Sequence, residues 1–385
     1  MPDRIWSFEQ VQGLIYVHVP VRMVVVKLDS GGLFAYSTVA PTDECLRLLS
    51  ELEAAHGPLR HILLPTSALE HKYFAGAFAG ARPDAQLWVA PFQYSFPLDL
   101  PLVLQGFPSG TRVLPLPSGG LEEGEQPEWA AQLPYKALGP IKERVGGFQE
   151  VVCYDSATRT LLVTDLIVSV PEDPPEVVRV NDERALRFHS RDSPADSAEA
   201  TAEALRVGWR KICLFALYFQ SSPLEVASPP DGTPGGALRF LESAFPAEVP
   251  KEARALGWNG FIAWSWRPEW RRAFDALRAG GAPLVPPIIQ VAILNREPET
   301  VLRFVEEVAD AFSFTRIVPC HFDAPVKATP AQWREAFNFL RRSPIGGRWG
   351  RRARAEQPDA DLAFLRSFEQ GLVRAGSIRP PKQKI

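Results

Sequence analysis

Val151-Val152-Cys153-Tyr154-Asp155-Ser156-Ala157-Thr158-Arg159-Thr160-Leu161-Leu162-Val163-Thr164-Asp165 is the stretch on which the fold turns. Two runs rich in β-branched and apolar residues, Glu150–Tyr154 and Thr160–Thr164, flank the polar segment Asp155-Ser156-Ala157-Thr158. That is the pattern of a β-hairpin. The second run ends directly on an acid, Asp165. An ionisable side chain at the carboxyl end of a short apolar strand sits at the sheet edge where α/β proteins open their sites.

Outward from the hairpin, strands and helices alternate. Ile15–Val19 and Met23–Leu28 read as strands that break at Pro20, and Asp29-Ser30-Gly31-Gly32 as a turn before the short strand Leu33–Ser37. A helix is expected next. Thr42 caps it, Asp43 and Glu44 favour its positive end, Cys45, Leu48, Leu49, Leu52 and Ala55 keep helical spacing, and Gly57-Pro58 stops it. His61–Pro65 and Gln86–Ala90 read as strands around a helix near Tyr73–Phe78, while Pro108–Pro134, with Ser118-Gly119-Gly120, reads as loop. Late in the chain, Val301, Val305, Val308 and Phe312 mark a helix face, Phe314–Val318 a strand, and Thr329-Pro330-Ala331-Gln332 a capping box. This alternation implies an α/β fold. Pro171–Ala200 (Pro- and acid-rich) and Ser221–Gly236 (Pro-, Gly- and Ser-rich) read as irregular.

Composition removes several classes of function. At 385 residues, 46% hydrophobic and 23% charged, the chain buries an ordinary globular core. A net charge of -3 argues against a dedicated nucleic-acid binder built on bulk positive charge. The longest apolar stretches, Ile212–Phe219 and Ala282–Leu294, fall short of the roughly 20 residues of a spanning helix, and Met1–Gln10 is too polar for a secretory signal. Cys45, Cys153, Cys213 and Cys320 form no CxxC pair, which suits a reducing compartment. There is no GxSxG elbow, no phosphate-binding GxxxxGK[ST] loop and no GxGxxG.

Three acid–histidine features share one placement: Glu70-His71 follows His61–Pro65, Asp165 follows Leu161–Thr164, and His321 follows Ile317–Val318. Two imidazoles and two carboxylates arriving at one sheet edge make a ligand set for a divalent ion such as Zn²⁺, Mn²⁺ or Fe²⁺. These residues carry a resemblance. Thr66-Ser67-Ala68-Leu69-Glu70-His71 after Ile62-Leu63-Leu64, the hairpin ending on Asp165, and Pro319-Cys320-His321 together resemble the metallo-β-lactamase superfamily. The resemblance implies an αββα sandwich, with 1–170 as its first part, 171–296 as a Pro- and Trp-rich insertion, 297–342 as a return to the sandwich and 343–385 as a basic linker and C-terminal helix. Pro286-Pro287-Ile288-Ile289-Gln290, Leu294-Asn295-Arg296 and the stretch Pro319–Pro325 also look like a branch of the superfamily found in cyanobacteria, algae and plants. That branch implies a chloroplast stroma or cytoplasmic setting.

Against the superfamily's His-x-His-x-Asp-His loop, Thr66 and Ala68 replace the first two imidazoles and Glu70 the acid; Gly139–Gly147, where another His belongs, has Lys142 and Glu143 instead. Of the first metal site only Asp165 survives, whereas the second keeps Glu70, His71, Asp165 and His321. Two functions stay open. One is a degenerate, non-catalytic member acting as a binding or assembly factor for an unknown protein partner, with no metal. The other is a one-metal hydrolase of an ester, lactone or phosphodiester, in which Asp165 anchors the ion and orients water and Lys72 or Lys142 stabilises the oxyanion. The Trp258–Trp270 stretch reads as a satellite core of the insertion, or alternatively as a lid, a partner surface or a belt touching a membrane face. Arg341-Arg342, Arg348, Arg351, Arg352 and Arg354 read as a solvated basic run.

Overall fold

Valine repeats build the spine of the first sheet. β2 (Val17–Lys27) is buried from Pro20 through Val26, and β1 (Ile5–Leu14) pairs with it antiparallel along its whole length, from Ile5↔Val26 to Leu14↔Val17. One expectation is corrected here. The strand does not break at Pro20: β3 (Leu33–Tyr36) covers only Val24–Lys27, so at Pro20 the ladder runs on one side and a residue without an N–H is tolerated. β1, an edge strand of mixed polar and half-buried residues, carries no run that announces it. The computed structural model describes residues 3–95, 98–116, 126–181, 183–226, 249–341 and 357–385. Ser118-Gly119-Gly120, most of Ser221–Gly236 and the basic run beyond Arg341 lie outside them.

β4 (Leu59–Leu64), β5 (Gln86–Val89) and β6 (Arg112–Val113) extend this sheet in parallel from β3. The connecting helix Asp43–His56 begins as expected, with the Cys45 backbone N–H donating to Thr42 Oγ1 at 3.3 Å. With the helix Ala75–Ala81 it covers the outer face, burying Met23, Val25, Leu49, Ile62 and Phe78.

The second sheet holds the hairpin. β7 (Tyr135–Lys142), β8 (Gly147–Asp155) and β9 (Thr160–Val163) are antiparallel, with Cys153↔Leu162 in register. A short ladder apart from both sheets joins β10 (Leu224–Val226) to β11 (Trp264–Trp266). β12 (Arg316–Pro319) lies parallel to β9, Pro319 beside Val163, and β13 (Val326–Lys327) closes the edge. Helices Pro298–Ala311 and Pro330–Ala336 cover the outer face, the latter opened by the Thr329 capping box. Between the sheets Val24, Val26, Phe34, Tyr36 and Leu63 meet Tyr135, Val151, Cys153, Leu162 and Val318. The layers are helix, sheet, sheet, helix: the metallo-β-lactamase-like αββα sandwich.

A second apolar cluster lies beside the sandwich. Helices Ala202–Tyr218 and Trp270–Arg278 enclose Trp209, Tyr218, Trp266 and Trp270, and Leu365 of the C-terminal helix Ala363–Arg374 joins them. Pro171–Ala200, expected to be irregular, contributes helices Glu176–Asn181 and Glu183–Ser190. Of the four clustered tryptophans, Trp266 and Trp270 are buried, Trp264 is partly buried and stacks on His189 at 5.7 Å, and Trp258 is 51% exposed. Among the described residues, no helix is long and apolar enough to cross a membrane.

Two stability measurements follow from this packing. Trp333 is fully buried under the second sheet, its indole N–H donating to the Val305 carbonyl at 3.1 Å. Trp333→Ala is expected to lower unfolding free energy in urea by about 3–5 kcal/mol. Burial pushes His189 down to about 3, so its imidazole stays neutral in the folded chain and charges near 6.5 once unfolded. The unfolded state therefore binds the extra proton, and this contribution is complete above pH 6.5 and lost as pH falls toward 3. Denaturant titrations across that window should show His189→Leu with a shallower acid slope than the parent chain.

Candidate metal centre

The site forms where strand ends of both sheets meet. β9 and β12 are adjacent and parallel, so Asp165 and His321 leave the second sheet at the same edge. His71 arrives from the first sheet on the short helix Leu69–Lys72 after β4. An isolated bridge between Val21 and His321 ties the two sheets together beside it.

Donor atoms of Glu70, His71, Asp165 and His321 all lie within 4.8 Å of one another. Three are closer still. His71 Nε2 is 3.2 Å from Asp165 Oδ1, His321 Nε2 is 3.3 Å from the same oxygen, and the two Nε2 atoms are 3.2 Å apart. Ligands held 2.0–2.1 Å from one tetrahedral ion stand about 3.3 Å from each other. These edges have that length.

The outer nitrogens explain how the imidazoles are aimed. His321 Nδ1 is 2.9 Å from the Pro20 carbonyl, which only accepts, so Nδ1 carries a proton and Nε2 is the nitrogen left to face the site. His71 Nδ1 is 3.0 Å from Ser37 Oγ. The nitrogens facing the carboxylate oxygen call for a positive charge between them, a proton or a metal ion. Asp165 Oδ2, also buried, has no hydrogen-bond partner among the described residues. An orphaned carboxylate oxygen beside converging donors is the signature of a position a cation fits. Burial alone would raise Asp165, yet the two imidazoles outweigh it and hold the carboxyl well below its usual range. Burial likewise works to depress His71, and the Asp165 charge reverses this.

Three residues that no motif marks position this group. Glu150, buried in β8, accepts from the backbone N–H groups of Thr164 at 2.8 Å, Asp165 at 2.9 Å and Leu166 at 3.1 Å, fixing the turn that presents Asp165. Burial and the Asp165 charge push Glu150 up to about 8, against the pull of those donors. Arg22, buried in β2, donates to the carbonyls of Pro319 and Phe322 on either side of His321, and its charge is paired with Glu9 at 2.7 Å. Ser37 and Phe322 hold left-handed backbone angles, φ 62° and 57°, unusual for residues with a side chain. The sequence signal was a charged residue inside a strand-like run.

Other expectations are placed differently. Lys72 Nζ donates to the Tyr94 carbonyl at 2.9 Å and to Gln105, and neither Lys72 nor the exposed Lys142 is among the residues lining the cleft beside the donors. Thr66 Oγ1 is spent locally, accepting from Ala68 N–H at 3.1 Å. Cys320 lies in the core between the sheets, its thiol pushed up by burial and by Asp165. All four cysteines are buried and free.

The centre opens into a cleft of about 550 Å³. Glu70, Asp165 and His321 stand at one end, and Ile141, Phe148, Leu217, Ile288, Ile289 and Ile293 line much of the rest.

Comparison with solved structures finds similarity to metallo-β-lactamases at low identity. One from Pontibacter korlensis is 12% identical, with 45% of this chain and 73% of that one covered and a TM-score of 0.31. The DIM-1 enzyme is 10% identical over 88% and 95%, with a TM-score of 0.35. FIM-1 from Pseudomonas aeruginosa, in its mono-zinc form, is 12% identical over 66% and 88%, with a TM-score of 0.32. No curated protein matches the sequence. A family model described as a domain of unknown function, DUF4336, matches residues 2–339, and the chain belongs to that family.

Proposed function

We propose that this protein is a one-metal hydrolase acting on an uncharged carboxylic ester or lactone, with Glu70, His71, Asp165 and His321 holding a single divalent ion. The observation that carries this reading is the trio of 3.2–3.3 Å donor separations around the unpartnered Asp165 Oδ2. A carboxylate oxygen and two imidazole nitrogens at these separations are the chemistry of a ligand set.

A bound divalent ion would supply Lewis acidity and bring the pKa of a coordinated water near 7. The chain's own residues do the rest. Pro20 fixes the His321 tautomer, Ser37 fixes the His71 ring, and Glu150 holds the Asp165 turn rigid. Glu70, exposed to solvent, completes the donor set. Among the described residues lining the cleft there is no lysine or arginine. A phosphodiester anion would find the ion but no side-chain cation among them to hold its second charged oxygen, which favours a neutral carbonyl substrate.

Elemental analysis of protein purified without chelator is expected to find one zinc, manganese or iron per chain, lost in His71→Ala, with p-nitrophenyl acetate hydrolysis abolished by EDTA and restored by the ion. An ion-free protein whose esterase rate is indifferent to EDTA and to His71→Ala would remove the proposal. Glu150→Gln trades an acceptor for an amide donor facing three N–H groups. It should weaken zinc affinity about 10–100-fold, read by chelator competition.

A further inference from the structure

The cleft says more about the substrate than its polar end does. We infer that it receives the unbranched acyl chain of an aliphatic ester, the carbonyl lying at the Glu70–Asp165–His321 end and the chain running along the isoleucine wall. This rests on the hydrolase reading only for the reaction; the binding of the chain stands by itself.

Four observations lead there. The cleft, at about 550 Å³, is the size that encloses a small organic molecule. Beyond the donor end its polar groups are largely used, Glu143 Oε1 being the one buried lining oxygen there without a hydrogen-bond partner among the described residues. Ser67 Oγ donates to the Gly147 carbonyl at 3.1 Å and accepts from Gln149 N–H at 3.0 Å, while Glu143 Oε2 accepts from Arg379 N–H at 2.7 Å. The Glu143 charge is balanced by the Arg296 guanidinium at 3.9 Å and that of Arg379 at 3.6 Å. A ligand's distal part thus finds methyl groups and few free partners, and a polar group there would lose its water without replacement.

The wall is also aliphatic in kind. Ile141 from β7, Ile288, Ile289 and Ile293 from the Pro287–Ala292 helix and its end, and Ile378 from the C-terminal tail present branched, convex surfaces. A flexible alkyl chain follows such a surface closely, with Phe148, Phe219 and Phe322 completing the apolar lining. At the rim, Phe219 is 45% exposed and terminates helix Ala202–Tyr218 with φ 60°. It stands as an apolar lip, its ring edge-on to Phe368 of the C-terminal helix at 6.3 Å.

The reaction adds water across one bond. The water oxygen bonds to the acyl carbon, the bond from that carbon to the alcohol oxygen breaks, and the water's proton goes to the departing alkoxide, giving acid and alcohol. No oxidant or reductant enters.

The test uses full-length, zinc-loaded protein with p-nitrophenyl acetate, butyrate, hexanoate and octanoate. kcat/KM is expected to rise about tenfold for each added pair of methylenes until the cleft is filled. Ile293→Trp, which fills the cleft, should flatten the series without changing zinc content; Ile293→Ala should extend it. In parallel, metal-free protein is titrated with butanol, hexanol and octanol against bound Nile red. Tighter binding of the longer alcohols without any ester hydrolysis would keep the chain site and discard the hydrolase. Hydrolysis independent of chain length, with equal displacement by all three alcohols, would overturn the chain site and keep the hydrolase.

Discussion

Three backbone N–H groups converge on the single buried carboxylate of Glu150, and the geometry of the site descends from that contact. A carboxylate taken out of water is tolerated only when its oxygens are met, and here the donors all belong to the turn that follows β9. Because Thr164, Asp165 and Leu166 are held together, the Asp165 side chain has one direction in which to leave the strand. It leaves toward the rim shared by the two sheets. A second buried charge does the same for His321. Arg22 grips the carbonyls before and after that residue, and the turn it grips includes the left-handed Phe322. Such a backbone angle persists only where surrounding contacts over-determine it. The Glu150 contact acts within the second sheet and the Arg22 contact reaches from the first sheet to the second, so the donor trio is set by sheet packing and not by a flexible loop.

This explains how far the amino-acid order reveals the site. His71, Asp165 and His321 are legible because each follows a short apolar strand, and strand ends of an α/β sheet share an edge. Glu150, Arg22 and Ser37 are not, since each acts through backbone groups or a ring nitrogen far along the chain. All that marks them is a polar residue among apolar neighbours. Lys72 misled for a simple geometric reason. Consecutive helical residues point about 100° apart, so when His71 faces the site its neighbour faces elsewhere, here toward Tyr94 and Gln105.

The fold shows the same division. β8, β9, β4 and β12 are buried in apolar runs and read directly. β1 and β7 are edge strands with one side toward solvent or the cleft, and their mixed composition hides them. Pro20 compounds the difficulty: it suggests a break, although the one-sided ladder there lets the strand continue. Local signals succeed where one physical demand dominates and fail where two compete.

The chemistry available depends on a part of the chain that local patterns describe least. Ile288, Ile289, Ile293 and Phe219 lie outside the sandwich strands, yet they turn an exposed sheet edge into an enclosed apolar cleft. Enclosure raises the weight of every charge in the site by excluding water. Asp165 and Glu70 then make the mouth negative, with no lysine or arginine among the lining residues to offset them. The carboxylates that draw a divalent cation to the donors are offset once it binds, so a preference for a neutral, apolar ester comes from the apolar wall beside a site whose charge is already balanced.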